Sequence, residues 1–159
     1  MELRIMPKGN LQIDNARITY RNFEGRRTEY NDEGRRNFSV IIESAEDAER
    51  LINLGYNVKI KPPRQEGDPA FMTLKVNVSY RYKEPTVILQ SGRAMNRLTE
   101  DTVRTLDAIE IEDVCMDISP SNWSTAGRSG LSAYLTSIKV VQNLDRFAEE
   151  FNNRDIEEY

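Results

Sequence analysis

The sequence predicts a mainly β domain, an OB-like Greek-key barrel with one or two short helices. Three observations predict this fold. Apolar residues recur with a period of two in six or seven segments, as they do in half-buried strands. The alternation slips between Ile13 and Ala16 and again near Asp113, as it does at the β-bulges that bend barrel strands. One amphipathic helix comes early in the chain, an order that a capped barrel accommodates better than a sandwich.

The first predicted strands form a long hairpin. Residues 11–20 and 38–42 alternate between apolar and polar side chains, and a turn signal at residues 31–34 lies between them. Tyr20 and Phe38 are in phase with buried positions, so we expect both in the core. The segment that joins the two strands is highly charged, which is typical of a solvated, mobile arm.

The helix is predicted between Ser44, which can cap its first turn, and Gly55, which ends it. Ala48, Leu51 and Ile52 recur between them at helical spacing. Strands follow at residues 56–60, 72–82 and 86–89, with a loop at 62–69. A capped turn at 98–106, a strand at 109–118, a loop at 119–130 and a last strand at 131–141 complete the barrel.

Charge divides the chain into two parts. Its 159 residues carry a net charge of −4, and the last fifteen hold six acids and two bases, so the body has 20 of each. We expect an OB-like barrel domain over residues 1–143 and an acidic tail over 144–159 that is flexible, either disordered or weakly helical. The tail suits docking to a basic partner, competition for the protein's own basic surface, or simple solubilisation.

Several function classes are excluded by composition. There is no histidine, and a single cysteine, Cys115, rules out an internal disulfide framework. The start of the chain is polar and no apolar run is long enough to cross a membrane, so we expect a cytoplasmic protein. Five acids lie between residues 107 and 117 on polar strand faces, without the convergence of a two-metal nuclease site. We therefore expect no enzyme activity, no metal and no cofactor.

Arginines and aromatic residues are interleaved in the charged arm and around it. Guanidinium groups pair with phosphates, and aromatic rings stack on unpaired bases without reading their sequence. The candidate residues here are Phe23, Arg26, Arg27, Tyr30, Arg35 and Arg36. Alternatively, these arginines pair with the acids beside them in a solvated arm.

The outward faces of the middle strands carry cations and no acids. The residues are Arg17, Arg21, Lys59, Lys61, Lys75 and Arg81, which could join into one positive groove or form an ordinary solvated face. Trp123 and Arg128 lie in the predicted loop 119–130 and extend the candidate set. Trp123 suits either stacking on a base or closing one end of the barrel.

One set of these residues resembles a known family. The motifs are Arg17-Ile18-Thr19-Tyr20-Arg21-Asn22-Phe23-Glu24-Gly25, Tyr30-Asn31, Gly34-Arg35-Arg36-Asn37-Phe38, and Ala48 to Lys59 with Leu106-Asp107. They resemble phage- and prophage-encoded proteins described as single-stranded DNA-binding-like, of OB-fold type. The resemblance implies a non-enzymatic protein that binds single-stranded DNA with little sequence preference, acting in replication or recombination in the bacterial host cell.

The acidic end of the chain is similar to the tails of phage and bacterial single-stranded DNA-binding proteins, although it ends in Tyr159 where Phe is more usual. That similarity implies docking of replication or recombination proteins. The rival hypothesis is a phage-encoded protein-interaction or regulatory module on the same fold that does not bind DNA. The sequence does not decide whether the protein is a monomer or an oligomer, or whether it prefers DNA or RNA.

Overall fold

The computed structural model describes residues 1–145 and residue 147, so nearly all of the predicted acidic tail lies outside the described residues. Two short 3₁₀ turns cover Pro7–Gly9 and Val103–Asp107, and the one α-helix of this described part, α1, covers Ala45–Leu54. Its strands are β1 (Glu2–Ile5), β2 (Leu11–Asp14), β3 (Ile18–Asn22), β4 (Arg36–Ile42), β5 (Val58–Lys61), β6 (Phe71–Val78), β7 (Thr86–Ser91), β8 (Ala94–Leu98), β9 (Ile111–Thr125) and β10 (Arg128–Gln142).

Six strands close into a five-stranded barrel, in which β2 and β3 together count as one strand. The sheet runs β2–β9–β10–β6–β4–β3, with β10 parallel to β6 and the other pairs antiparallel. The circuit closes because β2 and β3 are the halves of one bent strand. The backbone N–H of Ala16 donates to Val114 at 2.8 Å, and the next carbonyl, of Arg17, accepts from Ile41 at 2.9 Å. This arrangement confirms the prediction of a mainly β, OB-like fold.

The bend between β2 and β3 confirms the slip that was predicted between Ile13 and Ala16. A further slip, which was not predicted, lies within β3. Asn15 has a φ of 51°, and the pairing of β3 with β4 shifts between Thr19 and Asn22 around Tyr20, whose φ is also 51°. A one-residue shift moves the side chains that follow to the other face. The core assignment of Tyr20 is therefore wrong, since 57% of its surface is exposed, whereas that of Phe38 is confirmed.

The core fills the barrel and extends under α1. Phe23 and Phe38 stack inside it with ring centroids 5.1 Å apart. The helix is confirmed at both ends: the Ser44 hydroxyl accepts from the N–H of Asp47 at 3.0 Å, and Gly55 ends the helix with a φ of 110° that favours glycine. Ala48 and Leu51 are its buried residues.

The structure differs from the predicted elements in four places. Strands β1 and β8 were not predicted, and β6 ends at Val78 although alternation continues to residue 82. The segment 119–130 is not a loop: β9 and β10 pair without a break from Ser119 with Tyr134 to Thr125 with Arg128. Serine, asparagine and glycine lower strand propensity, but cross-strand pairing decides the conformation here. None of the helices within the described residues is long and apolar enough to cross a membrane.

Candidate nucleic-acid interface

The outer face of β4, β6 and β5 carries aligned cations. Ser39 pairs with Lys75, Lys59 with Thr73, and Lys61 with Phe71, so these side chains share the face opposite the core. Arg17 joins them, because its carbonyl accepts from Ile41, which is the β4 partner of Thr73. All four cations are exposed, and none forms an ion pair within the part of the chain that the structure describes. The predicted positive face therefore exists around Arg17, Lys59, Lys61 and Lys75.

An aromatic pair lies on the same face. The rings of Tyr20 and Phe71 meet edge to face with centroids 6.4 Å apart, and both residues are exposed. The Lys61 ammonium lies 5.4 Å from the centre of the Tyr20 ring and donates to its hydroxyl at 3.2 Å. Neither aromatic residue was among the predicted site residues. The alternation of β6 could have identified Phe71, which is in phase with Thr73 and Lys75.

The arm between β3 and β4 is pinned at its base. The carboxylate of Asp107 accepts from the N–H groups of Phe23 and Glu24 at 2.8 and 2.9 Å. The side-chain amide of Asn31 donates to the carbonyls of Arg26 and Arg35, at 2.9 and 3.0 Å, from the middle of the arm. Side-chain hydrogen bonds therefore tie the backbone of the arm across its turn.

Three of the four arm arginines point into solvent. Arg26 and Arg35 make only long, exposed contacts with acids, at 3.6 Å to Glu24 and 3.9 Å to Asp32, and such pairs contribute about 0–1 kcal/mol. Arg27 is exposed and has no ion pair within the described residues. Tyr30 stands beside them with 90% of its surface exposed. These three arginines and Tyr30 are therefore accessible to a ligand.

Arg36 differs from the other arm arginines. Its guanidinium lies 5.5 Å from the centre of the Tyr80 ring and 3.4 Å from a carboxylate oxygen of Glu100, and only 20% of its side chain is exposed. The attraction of the guanidinium to the aromatic ring and to the carboxylate holds the Arg36 side chain in place. We therefore assign Arg36 to the support of the arm rather than to its contact surface.

Two further predicted site residues face the interior. Arg21 donates to the carbonyls of Leu106 and Ile109 at 2.7 and 2.8 Å, and so ties β3 to the 3₁₀ turn. Phe23 is fully buried against Phe38, so it has no face for a base to stack on. Both assignments are corrected for one reason: the irregular pairing around Tyr20 changes which side chains of this strand face outward.

Trp123 and Arg128 lie on the β9–β10 hairpin. Trp123 pairs with Gly130, where an added Cβ would come within 2.9 Å of the indole ring. The hairpin is fixed to the end of α1, since the N–H of Leu131 donates to the carbonyl of Gly55 at 2.9 Å. Trp123 is 37% exposed, and Arg128 is exposed at the hairpin turn.

The arm and the hairpin lie at opposite ends of the basic face. The arm joins β4 at Arg36, which pairs with Val78 at the end of β6. The hairpin precedes Ala133, which pairs with Val76 in parallel, so its turn lies toward the start of β6. OB folds bind oligonucleotides on the face of their second and third barrel strands, β4 and β6 here, between these two connections. Arg81, exposed in the segment after β6, lies at the arm end.

Comparison with known families agrees with this geometry. The model of the phage ssDNA-binding domain family matches residues 2–157, nearly the whole chain. The chain belongs to this family.

Solved structures show the same fold as this phage ssDNA-binding domain. This chain is similar to the single-stranded DNA-binding protein from bacteriophage Enc34, with 13% identity and a TM-score of 0.57 over 92% of this chain and 88% of that one. The same Enc34 protein in complex with ssDNA gives 14% identity and a TM-score of 0.57 over 91% and 93%. A search of curated protein sequences finds no significant match.

Two of the five acids between residues 107 and 117 of this phage ssDNA-binding domain, Asp107 and Asp117, hold parts of the fold together. Asp107 binds the backbone of the arm, and Asp117 accepts from the Ser137 hydroxyl at 3.1 Å. No group of three acids or cysteines in the described part could hold a metal ion. The family is one of non-enzymatic DNA-binding proteins, as the sequence predicted.

Proposed function

We propose that this domain holds single-stranded DNA across the outer face of β4, β6 and β5, between the arm and the β9–β10 hairpin. The observation that carries the proposal is the combination on that face of two exposed lysines, Lys59 and Lys75, with the exposed aromatic pair Tyr20 and Phe71. Basic grooves with stacking platforms are what single strands require.

The two kinds of side chain have separate tasks. Lys59, Lys75 and the arm arginines neutralise phosphates and release counterions, which makes the affinity depend steeply on salt. Tyr20, Tyr30 and Trp123 offer ring faces to unpaired bases, and each stacked base contributes about 1–3 kcal/mol whatever its identity. A duplex keeps its bases stacked inside, so it can use only the first kind of contact.

The biological setting belongs to the same proposal. The Enc34 protein of this fold is known in complex with ssDNA, which supports binding of single-stranded DNA here. We place the protein in the cytoplasm of the bacterial host, coating single strands during replication or recombination. The acidic residues 145–159, with a net charge of −4, extend beyond a barrel domain of residues 1–143 and suit docking of other replication or recombination proteins.

Titration of the single tryptophan with oligo-dT tests the proposal. Binding should change Trp123 fluorescence, weaken steeply with added salt, and be weaker for duplex DNA of the same length. Replacing Lys59 and Lys75 by Gln should lower the affinity. The matched control replaces Arg93 and Arg97 by Gln, which removes the same charge from β8 and its turn. Equal binding of duplex and single strand, or no binding at low salt, would favour a protein-interaction module instead.

A further inference from the structure

A groove of about 880 Å³ lies beside the basic face and shares only Arg81 with the candidate residues described above. Its floor is the outer surface of β9 and β10, at Ser119, Ser121, Tyr134 and Thr136. One wall is the segment 6–12 and the other is the segment 79–85 that follows β6. The groove is therefore open at the surface and bounded on both sides by backbone.

The walls of the groove carry cations. Lys8 lies on one wall, and Arg81 and Lys83 lie on the other. All three are exposed and without an ion pair in the part of the chain that the structure describes. Two acids also line the groove, Glu84 and Asp117, so its local charge is positive by one.

Two tyrosines offer stacking surfaces in the groove. Tyr134 stands on the floor, partly exposed, and Tyr82 on the wall has 93% of its surface exposed. A tyrosine this exposed in a connecting segment adds nothing to the core. Tyrosine faces beside exposed cations, with apolar side chains below them, match the chemistry of a single nucleic-acid strand.

The groove continues directly from the basic face. Asn77 and Tyr134 are paired neighbours on β6 and β10, and parallel partners point to the same side of a sheet. The Asn77 amide donates to the carbonyl of Ala133 at 3.2 Å, which fixes this junction. Lys75 lies two residues before Asn77 on the same face, so bound DNA leaving Lys75 reaches Tyr134 after about 7 Å along β6 and one spacing between strands, roughly 5 Å.

Hydrogen bonds fix the wall of the groove that is formed by residues 6–12. The Tyr56 hydroxyl donates to the carbonyl of Gly9 at 2.7 Å, and the N–H of Met6 donates to the carbonyl of Asn10 at 2.7 Å. These bonds keep Lys8, between them, over the groove. A preformed wall lowers the entropy cost of binding a flexible strand.

We propose that the bound single strand runs on from the β4–β6 face across Asn77 into this groove. There its bases stack on Tyr134 and Tyr82, and its phosphates meet Lys8, Arg81 and Lys83. The inference rests on the proposed function and deepens it, because it makes the groove a second subsite for the same strand. Its consequence is a longer footprint, so affinity should rise with oligonucleotide length until the groove is filled.

Length-dependent affinity tests the groove. Oligo-dT of about 6 and about 16 nucleotides brackets the range that one OB fold covers. The test variant combines Tyr82→Ala with Lys83→Gln, both exposed, so the thermal midpoint should stay unchanged. It should bind the short oligonucleotide like the wild type and the long one at least about fivefold more weakly, the equivalent of one stacked base. Arg93→Gln, at the β7–β8 turn, is the charge-matched control and should alter neither affinity.

Each other result decides against the groove, and the results can be told apart. If the variant binds both the long and the short oligonucleotide like the wild type, the groove does not hold DNA. If both oligonucleotides weaken equally, the groove is not an extension of the basic face. If the wild type binds neither oligonucleotide, the proposed function fails, and the groove proposal fails with it.

Discussion

Removing the exposed arm arginines should flatten the salt dependence of DNA binding without weakening the fold. The perturbation replaces Arg26, Arg27 and Arg35 by Gln. The structure selects these three and leaves out Arg36, whose guanidinium is held between Tyr80 and Glu100. Exposed substitutions away from the core change the free energy of unfolding by about 0.5 kcal/mol or less.

The magnitude follows from how many phosphates the arm neutralises. Each neutralised phosphate adds about 0.7 to the slope of log affinity against log salt for a single strand. If all three arginines reach phosphates, the slope should fall by about 2. The variant's loss of affinity should then be about 100-fold greater at 0.1 M salt than at 1 M salt. Replacing Arg27 alone, which leaves the long pairs of Arg26 with Glu24 and Arg35 with Asp32 in place, gives a fall of about 0.7.

Fluorescence titration with oligo-dT at a series of salt concentrations measures the slope, and thermal unfolding checks the fold. An affinity decrease that is the same at every salt concentration would refute phosphate contact by the arm. The single substitution Arg36→Gln is the contrasting case. It should lower the free energy of unfolding by about 1–2 kcal/mol, because glutamine brings no cation to the Tyr80 ring or to Glu100.

Three further predictions address the anchor, the groove wall and the tail. Asp107→Asn should lower the free energy of unfolding by about 1.5–3 kcal/mol in urea titration, because the arm backbone loses a charged acceptor; an unchanged midpoint would contradict the anchoring. Burial raises the pKa of Tyr56 to about 12, above its unfolded value of 10.0, so its stabilising effect is complete below pH 10 and is lost as pH rises toward 12. The difference in unfolding free energy between wild type and Tyr56→Phe should therefore narrow over that interval, and a constant difference would be inconsistent with this burial. Truncation after Asn143 should tighten single-strand binding, most at low ionic strength, because the net charge of −4 on residues 145–159 no longer competes for the basic face; no gain at any salt concentration would show that the tail does not compete.

Local sequence signals were sufficient wherever a single element decides the outcome. Alternation of apolar residues predicted most strands, and the caps at Ser44 and Gly55 predicted both ends of α1. The order of strands and helix predicted the OB-like barrel, and the resemblance of the motifs at residues 17–25 and 34–38 to a known family indicated the family. Exposure of Lys59 and Lys75 also followed from alternation alone, because both lie on regular strands.

Only the tertiary structure decided which side chains of the irregular segments face outward. Tyr20 is exposed and Phe23 is buried because the pairing of β3 with β4 shifts between Thr19 and Asn22, and the sequence marks no such shift. Arg21 is held by carbonyls 85 and 88 residues further along the chain, at Leu106 and Ile109. A period of two reports the side of a strand only while its register holds. The register shift around Tyr20, and hydrogen bonds between distant residues, depend on the closed barrel, which no local pattern contains.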